Sequence, residues 1–218
     1  LRLPEGLRDE FGQPLKGNRE FKIKVGELAP SLVGVQQMTT LRPQGKRSVP
    51  VWVTNIPRIK VSVWEVEPSM WREFQDFQNS AYDRAGTCPG RCIGTQEQDT
   101  NCISDEVTAF EVDVSWALGE GELGHRVVEI EPDSSLWAMI SRKHANIWPI
   151  RQWVQATDLS ASTYYDSKLL NVWVNDLETG APLKDVQLVS DGGGIRKSAA
   201  DGIAQYDLAE SINWLVAT

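Results

Sequence analysis

Ile59-Lys60-Val61-Ser62-Val63-Trp64-Glu65-Val66 is the stretch that decides the fold class. Its side chains alternate with period two, which puts Ile59, Val61 and Val63 on one face and Lys60, Ser62 and Trp64 on the other. A helix would scatter these residues around its circumference, so the run predicts a strand with one buried face. Upstream, Val49-Pro50-Val51-Trp52-Val53 predicts a second strand, and Asn55-Ile56-Pro57 is a link short enough for neighbours in a sheet. Downstream the period changes. Pro68 suits a first helical turn, and Met70, Trp71, Phe74, Phe77 and Ala81 recur at helical spacing between Glu73, Gln75 and Asp76. A helix is expected over about 68–82, inserted between strands.

Strands resume at Ala109–Val114, His125–Glu131 and Trp148–Val154, with a Gly- and Glu-rich turn over Gly119–Gly124. The last sixty residues read as a β-meander. Leu169–Val174, Val186–Val189 and the alternating Ala204, Tyr206 and Leu208 are separated by turns at Asp176–Pro182, Asp191–Gly194 and Ala200–Gly202. Toward the other end, Phe21-Lys22-Ile23-Lys24-Val25 alternates as a half-buried strand would, and Arg8–Gly12 is a turn. Two strands do not stand alone, so residues 1–29 are expected to complete a sheet supplied by other chain. The fold class that follows is mainly β, a tandem of immunoglobulin-like antiparallel β-sandwich domains with one inserted helix. The expected division is 1–29 (closing strands of a preceding module), 30–158 (a sandwich carrying the helix and a cysteine loop over about 83–108) and 159–218 (a following, incomplete sandwich).

Composition narrows the function classes. The 218 residues carry 22 Lys and Arg against 30 Asp and Glu, a net charge of −8. Phosphate backbones and anionic lipids repel such a chain, so no nucleic-acid partner is expected. Arg42, Lys46 and Arg47 form a small basic cluster, read as a solvated loop. No apolar run approaches the ~18–20 residues that cross a bilayer, so the chain is not expected to span a membrane. Beginning at Leu1 without an initiator Met or signal peptide, it reads as a processed or excised segment. The 9 tryptophans are spread along the chain, which favours packing over a sugar-stacking platform.

The 3 cysteines, Cys88, Cys92 and Cys102, share one polar stretch. That setting suits an oxidising compartment and one disulfide, Cys92–Cys102 or Cys88–Cys102, with Cys88–Cys92 as the third pairing. Closing a loop of this size would stabilise by ~2–3 kcal/mol. Zinc would need four regularly spaced ligands, and His125 and His144 lie far along the chain. Asp191-Gly192-Gly193-Gly194 runs back into a strand, so it reads as a hairpin turn and lacks the helix a phosphate cradle needs. No nucleophile elbow occurs, and neither histidine sits in a catalytic pattern. The carboxylate pairs Glu120 and Glu122, Glu129 and Glu131, and Asp105 and Glu106 read as solvated faces before they read as a glycosidase pair. Asp99, Asn101 and Asp105 lack EF-hand spacing for calcium. The sequence therefore assigns no catalytic residue, no cofactor and no metal.

Several segments together resemble bacterial alpha-2-macroglobulins. Residues 3–12 resemble the closing strands of an early macroglobulin-like module, and residues 49–64 the opening strands of the next. Residues 153–183 carry the clearest likeness: Trp153–Leu159 resembles a linker between modules, Val172–Leu183 the first hairpin of the following one, and Asp201–Ala204 its later turn. The resemblance implies a macroglobulin-like fold and, for the parent protein, proteinase trapping, with a periplasmic or otherwise extracytoplasmic location that allows membrane anchoring of the parent. Partners would be the parent's other domains and, through the parent, target proteases. The family's Cys-x-Glu-Gln thioester is absent; Thr95-Gln96-Glu97-Gln98 matches only its second half. The segment itself is expected to be a non-catalytic scaffold. The alternative is an adhesion module whose loop 83–108 contacts a protein or glycan.

Overall fold

The computed structural model describes residues 2–24, 26–35, 38–83, 85–136, 147–166, 168–207, 212 and 215–218. The strands are β1 (Ser31–Gly34), β2 (Met38–Leu41), β3 (Ser48–Thr54), β4 (Arg58–Val66), β5 (Arg91–Asp99), β6 (Thr108–Asp113), β7 (Gly124–Pro132), β8 (Ile150–Ala156), β9 (Leu159–Tyr165), β10 (Leu169–Asp176), β11 (Gln187–Ser190), β12 (Ile195–Lys197), β13 (Ile203–Asp207) and β14 (Leu215–Ala217). The helix α1 (Trp71–Asn79) is flanked by 3-10 turns at Pro68–Met70 and Ser80–Asp83. The expected insertion over 68–82 is thus realised as a nine-residue helix between two tighter turns.

The first body is a sandwich of a three-stranded sheet, β1-β3-β6, and a five-stranded sheet, β2-β8-β7-β4-β5. Val49, Val51 and Val53 of β3 face Ile59, Val61 and Val63 of β4 with Val128, Ile130, Ile150 and Val154, all almost fully buried. The alternation in β4 therefore falls as its sequence requires. Burying each such side chain contributes ~1.5–3 kcal/mol. The sheets are antiparallel except for β2, which runs parallel to β8. Pro50 lies within β3 without breaking it, because β1 stops opposite Val51 and leaves β3 only one neighbour at that point.

The five-stranded sheet is covered on its second face too. There α1 presses Phe74 and Phe77 onto Val127 of β7 and Trp153 of β8. The second body stacks β13-β10-β9 on β12-β11-β14 around Val172, Val174, Leu188, Ala204 and Tyr206. Only Thr157 and Asp158 separate β8 from β9. No helix among the described residues is long and apolar enough to cross a membrane.

Three expectations need correction. Residues 21–24 form no strand: Phe21 and Ile23 are exposed, and this segment carries only isolated bridges, Arg2 with Glu20 and Arg8 with Pro14. Among the described residues the alternation there does not become a strand, and Val25, which closes the run, lies outside them. The stretch 83–108 is not one loop. Its centre is β5, an edge strand paired along its length with β4. The cysteines form no disulfide in this arrangement and all three are free. Cys92 opens β5 and Cys102 follows its far end, and a strand advances ~3.3 Å per residue, so the two lie several times farther apart than the ~4.4–6.8 Å a disulfide spans. Cys88 is buried beside α1, and Cys102 packs instead on the core between the sheets.

Candidate functional site

Several of the groups that sequence reasoning singled out are already engaged in bonds that join structural elements. Glu129 and Glu131 do share a face of β7. Glu129 accepts from Arg151 Nε at 2.8 Å and Glu131 from Lys60 Nζ at 2.7 Å, so each carboxylate is neutralised by a cation on a neighbouring strand. Glu122 binds Arg126 and the Gly119 amide. Asp99 accepts from Arg58 Nε at 2.9 Å. Asp105 accepts from the Leu28 amide at 2.8 Å and from Asn55 Nδ2 at 3.0 Å, which ties the N-terminal segment to the sandwich. Among the described residues no group of three or more His, Cys, Asp or Glu gathers as a metal site. Thr95 to Gln98 lie in β5. Thr95 Oγ1 meets Ser62 Oγ at 3.0 Å, and the Gln98 amide donates to the Asp113 carbonyl at 2.7 Å and accepts from its amide at 2.9 Å. Gln98 thereby bridges the sandwich's open side, from the edge of one sheet to the edge of the other. The Asp191–Gly194 segment is a tight turn closed by Ser190, as expected. Arg42 and Lys46 are solvent-facing, but Arg47 is buried and donates to the carbonyls of Pro43 and Glu122, so the basic loop is only partly solvated. His144, Trp137, Leu208 and Trp214 lie outside the described residues.

Two features that the sequence did not signal lie on the α1 side of the five-stranded sheet. The first is Arg151. Its side chain is 4% exposed, its guanidinium carbon sits 3.7 Å from the centre of the Phe77 ring, and its Nη1 donates to the carbonyls of Phe77 and Ala85 and to Ser80 Oγ. A cation at a helix C-terminus meets the negative end of the helix dipole. Gln78 Nε2 returns a bond to the Arg151 carbonyl at 3.0 Å. One side chain of β8 thus fastens the end of α1 and the segment that follows. Cys88 lies in this packing, and burial pushes its thiol up to about 12.

The second is an aromatic wall. Trp153, fully buried, packs edge-on against Trp71 at 5.3 Å and Phe74 at 5.4 Å between ring centres. Its indole Nε1 donates to His125 Nδ1 at 3.1 Å. Burial holds His125 below the ordinary histidine range, opposed by nearby Glu67 and assisted by Arg126. With Nδ1 accepting, the neutral ring carries its proton on Nε2. Trp71, His125 and Trp153 line one side of a cavity of about 420 Å³, and Leu159, Ser160, Leu177 and Val216 of the second body line the other. Across the same junction the Leu177 amide donates to the Asp158 carbonyl at 2.8 Å, and Arg42 pairs with Glu178 at 2.8 Å. Tryptophan count and helical period pointed to packing here, but Trp153 and His125 meet only through the β7–β8 register, which no local pattern encodes.

No protein-family model matches the sequence, and no curated protein does. Solved structures match the fold. A structure of native alpha-2-macroglobulin from Escherichia coli spanning domains NIE-MG1 superposes with TM-score 0.68 at 14% identity, covering 87% of this chain and 92% of that one. The native conformation of the E. coli protein gives TM-score 0.58 at 14% identity over 98% of this chain, which spans 14% of that chain. Salmonella alpha-2-macroglobulin reacted with methylamine gives TM-score 0.55 at 16% identity, over 88% of this chain and 11% of that chain. The chain therefore has the fold of a stretch of bacterial alpha-2-macroglobulin, two β-sandwich domains in series.

Proposed function

We propose that this chain is a non-catalytic scaffold segment of a bacterial alpha-2-macroglobulin-like proteinase-trapping inhibitor. The observation that carries the reading is the serial pair of sandwiches, β1–β8 then β9–β14, which follows the E. coli NIE-MG1 structure over 87% of this chain. In this reading 30–158 and 159–218 are consecutive modules that meet at Thr157 and Asp158, and 1–29 belongs to a module before them. The exposed Phe11, Phe21 and Ile23 then pack against that preceding module. The site chemistry is consistent with a frame: the bonds around Arg151 and Trp153 join structural elements to each other. The parent acts outside the cytoplasm, in the periplasm, against foreign proteases.

The test uses the parent protein. Incubated with several endoproteases of different specificity, it retains them in a form that still cleaves small peptides while large protein substrates are shielded. If no protease is retained or shielded, the trapping role is wrong. The 218-residue chain by itself neither inhibits nor cleaves.

A further inference from the structure

The cavity between the two bodies has the size and the lining of a ligand site, and the scaffold reading gives it no task. Its volume, about 420 Å³, falls within the ~300–1,000 Å³ common for small-ligand pockets, which favour domain junctions. No Asp, Glu, Lys or Arg lines it in a chain where about a quarter of the residues are charged. Its polar groups are Thr40, His125, Gln155, Thr157 and Ser160, so it offers hydroxyls, an amide and an imidazole. The Thr157 hydroxyl accepts from the Leu159 amide at 3.0 Å, which fixes the rim at the connection. The aromatic wall is braced from behind by Phe74, and the indole N–H of Trp153 is fixed on His125. A wall held this way is shaped before any ligand arrives, which lowers the entropy lost on binding.

We propose that the junction pocket binds an uncharged aromatic group that lies against Trp71, which Trp153 supports from behind, and takes hydrogen bonds from the polar rim. A charged ligand would shed its water without meeting an opposite charge, so it is selected against. The group can arrive as a free small molecule or as a side chain on an extended peptide. Because both bodies line the pocket, occupancy fastens them to each other.

The experiment titrates the 218-residue chain with indole, and separately with the blocked tripeptide acetyl-Ala-Trp-Ala-amide, following the Trp153 indole N–H by NMR. Saturable shifts with indole alone identify a free small ligand, and with the tripeptide alone a side chain; either supports the pocket. Indole-3-acetate, which carries a carboxylate, should bind at least tenfold more weakly than indole. Ala161→Trp from the second body and Met38→Trp at the mouth from the first each fill the space and abolish the shift. Trp52→Ala on the far sheet leaves it. No saturable shift with either probe, or a shift that persists in both folded filling variants, overturns the proposal.

Discussion

Gly90 has a positive φ of +85°, and a Cβ there would collide with the Glu65 carbonyl of β4. Gly90→Ala should therefore destabilise by ~1–3 kcal/mol, read as a lower urea midpoint with unchanged slope. The thiols differ as sharply. Cys92 is exposed, whereas burial lifts Cys88 to about 12 and leaves it protonated at neutral pH. Iodoacetamide on the native chain should label Cys92 and spare Cys88, which becomes reactive only in urea; peptide mass spectrometry separates the two. His125 sets a pH dependence. Its folded value lies below the unfolded value of ~6.5, so the unfolded chain binds the extra proton first. Stability is full above that value and falls as pH drops through it, until the folded ring also titrates. His125→Asn keeps an acceptor for Trp153 and should flatten the pH 5–7 part of the stability curve. Glu65, Asp133, Asp166 and Asp176 are held low by hydrogen bonds and ion pairs. They act in the same direction but in more acidic solution, so the two ranges separate.

Among the elements, α1 depends most on what surrounds it. A nine-residue helix is marginal alone, and its hold comes from Phe74, Phe77 and the Arg151 bonds. Arg151→Met should cost ~3–5 kcal/mol, because it leaves the largely buried Glu129 without its cation and takes a donor from the Phe77 and Ala85 carbonyls. Adding Glu129→Gln should recover part of that loss, which a double-mutant cycle in urea measures. What was legible in sequence follows from which elements have one buried face. β4 announced itself through Ile59, Val61 and Val63 because the other sheet covers that face. β5 did not, because an edge strand of Arg, Gly, Thr, Gln and Glu has no apolar period and becomes a strand only by pairing with β4. Phe21 to Lys24 misled in the opposite sense, an alternating run that forms no strand. The family likeness in residues 153–183 marked a connection there, but it did not announce that β9 begins at Leu159, directly after Thr157 and Asp158. The aromatic site was illegible because Trp153 and His125 are joined by strand register, and the pocket by the meeting of two bodies.

For the whole molecule, the joint between the bodies rests on backbone contact and shared walls more than on charge. The Arg42–Glu178 pair is half exposed at Arg42 and more so at Glu178, so Arg42→Ala should change stability by no more than ~1 kcal/mol and leave the pocket resonances unshifted in NMR. The short Thr157–Asp158 connection also makes β8 a drive shaft. The strand that leaves toward the second body is the one whose Arg151 and Trp153 grip α1. Torque on the second body is therefore delivered to the seat of the helix before it reaches the sandwich core. Pulled between its ends in an optical trap, the chain should yield first at that seat, and a swivel of two glycines inserted after Asp158 should decouple the yielding of the helix from the load.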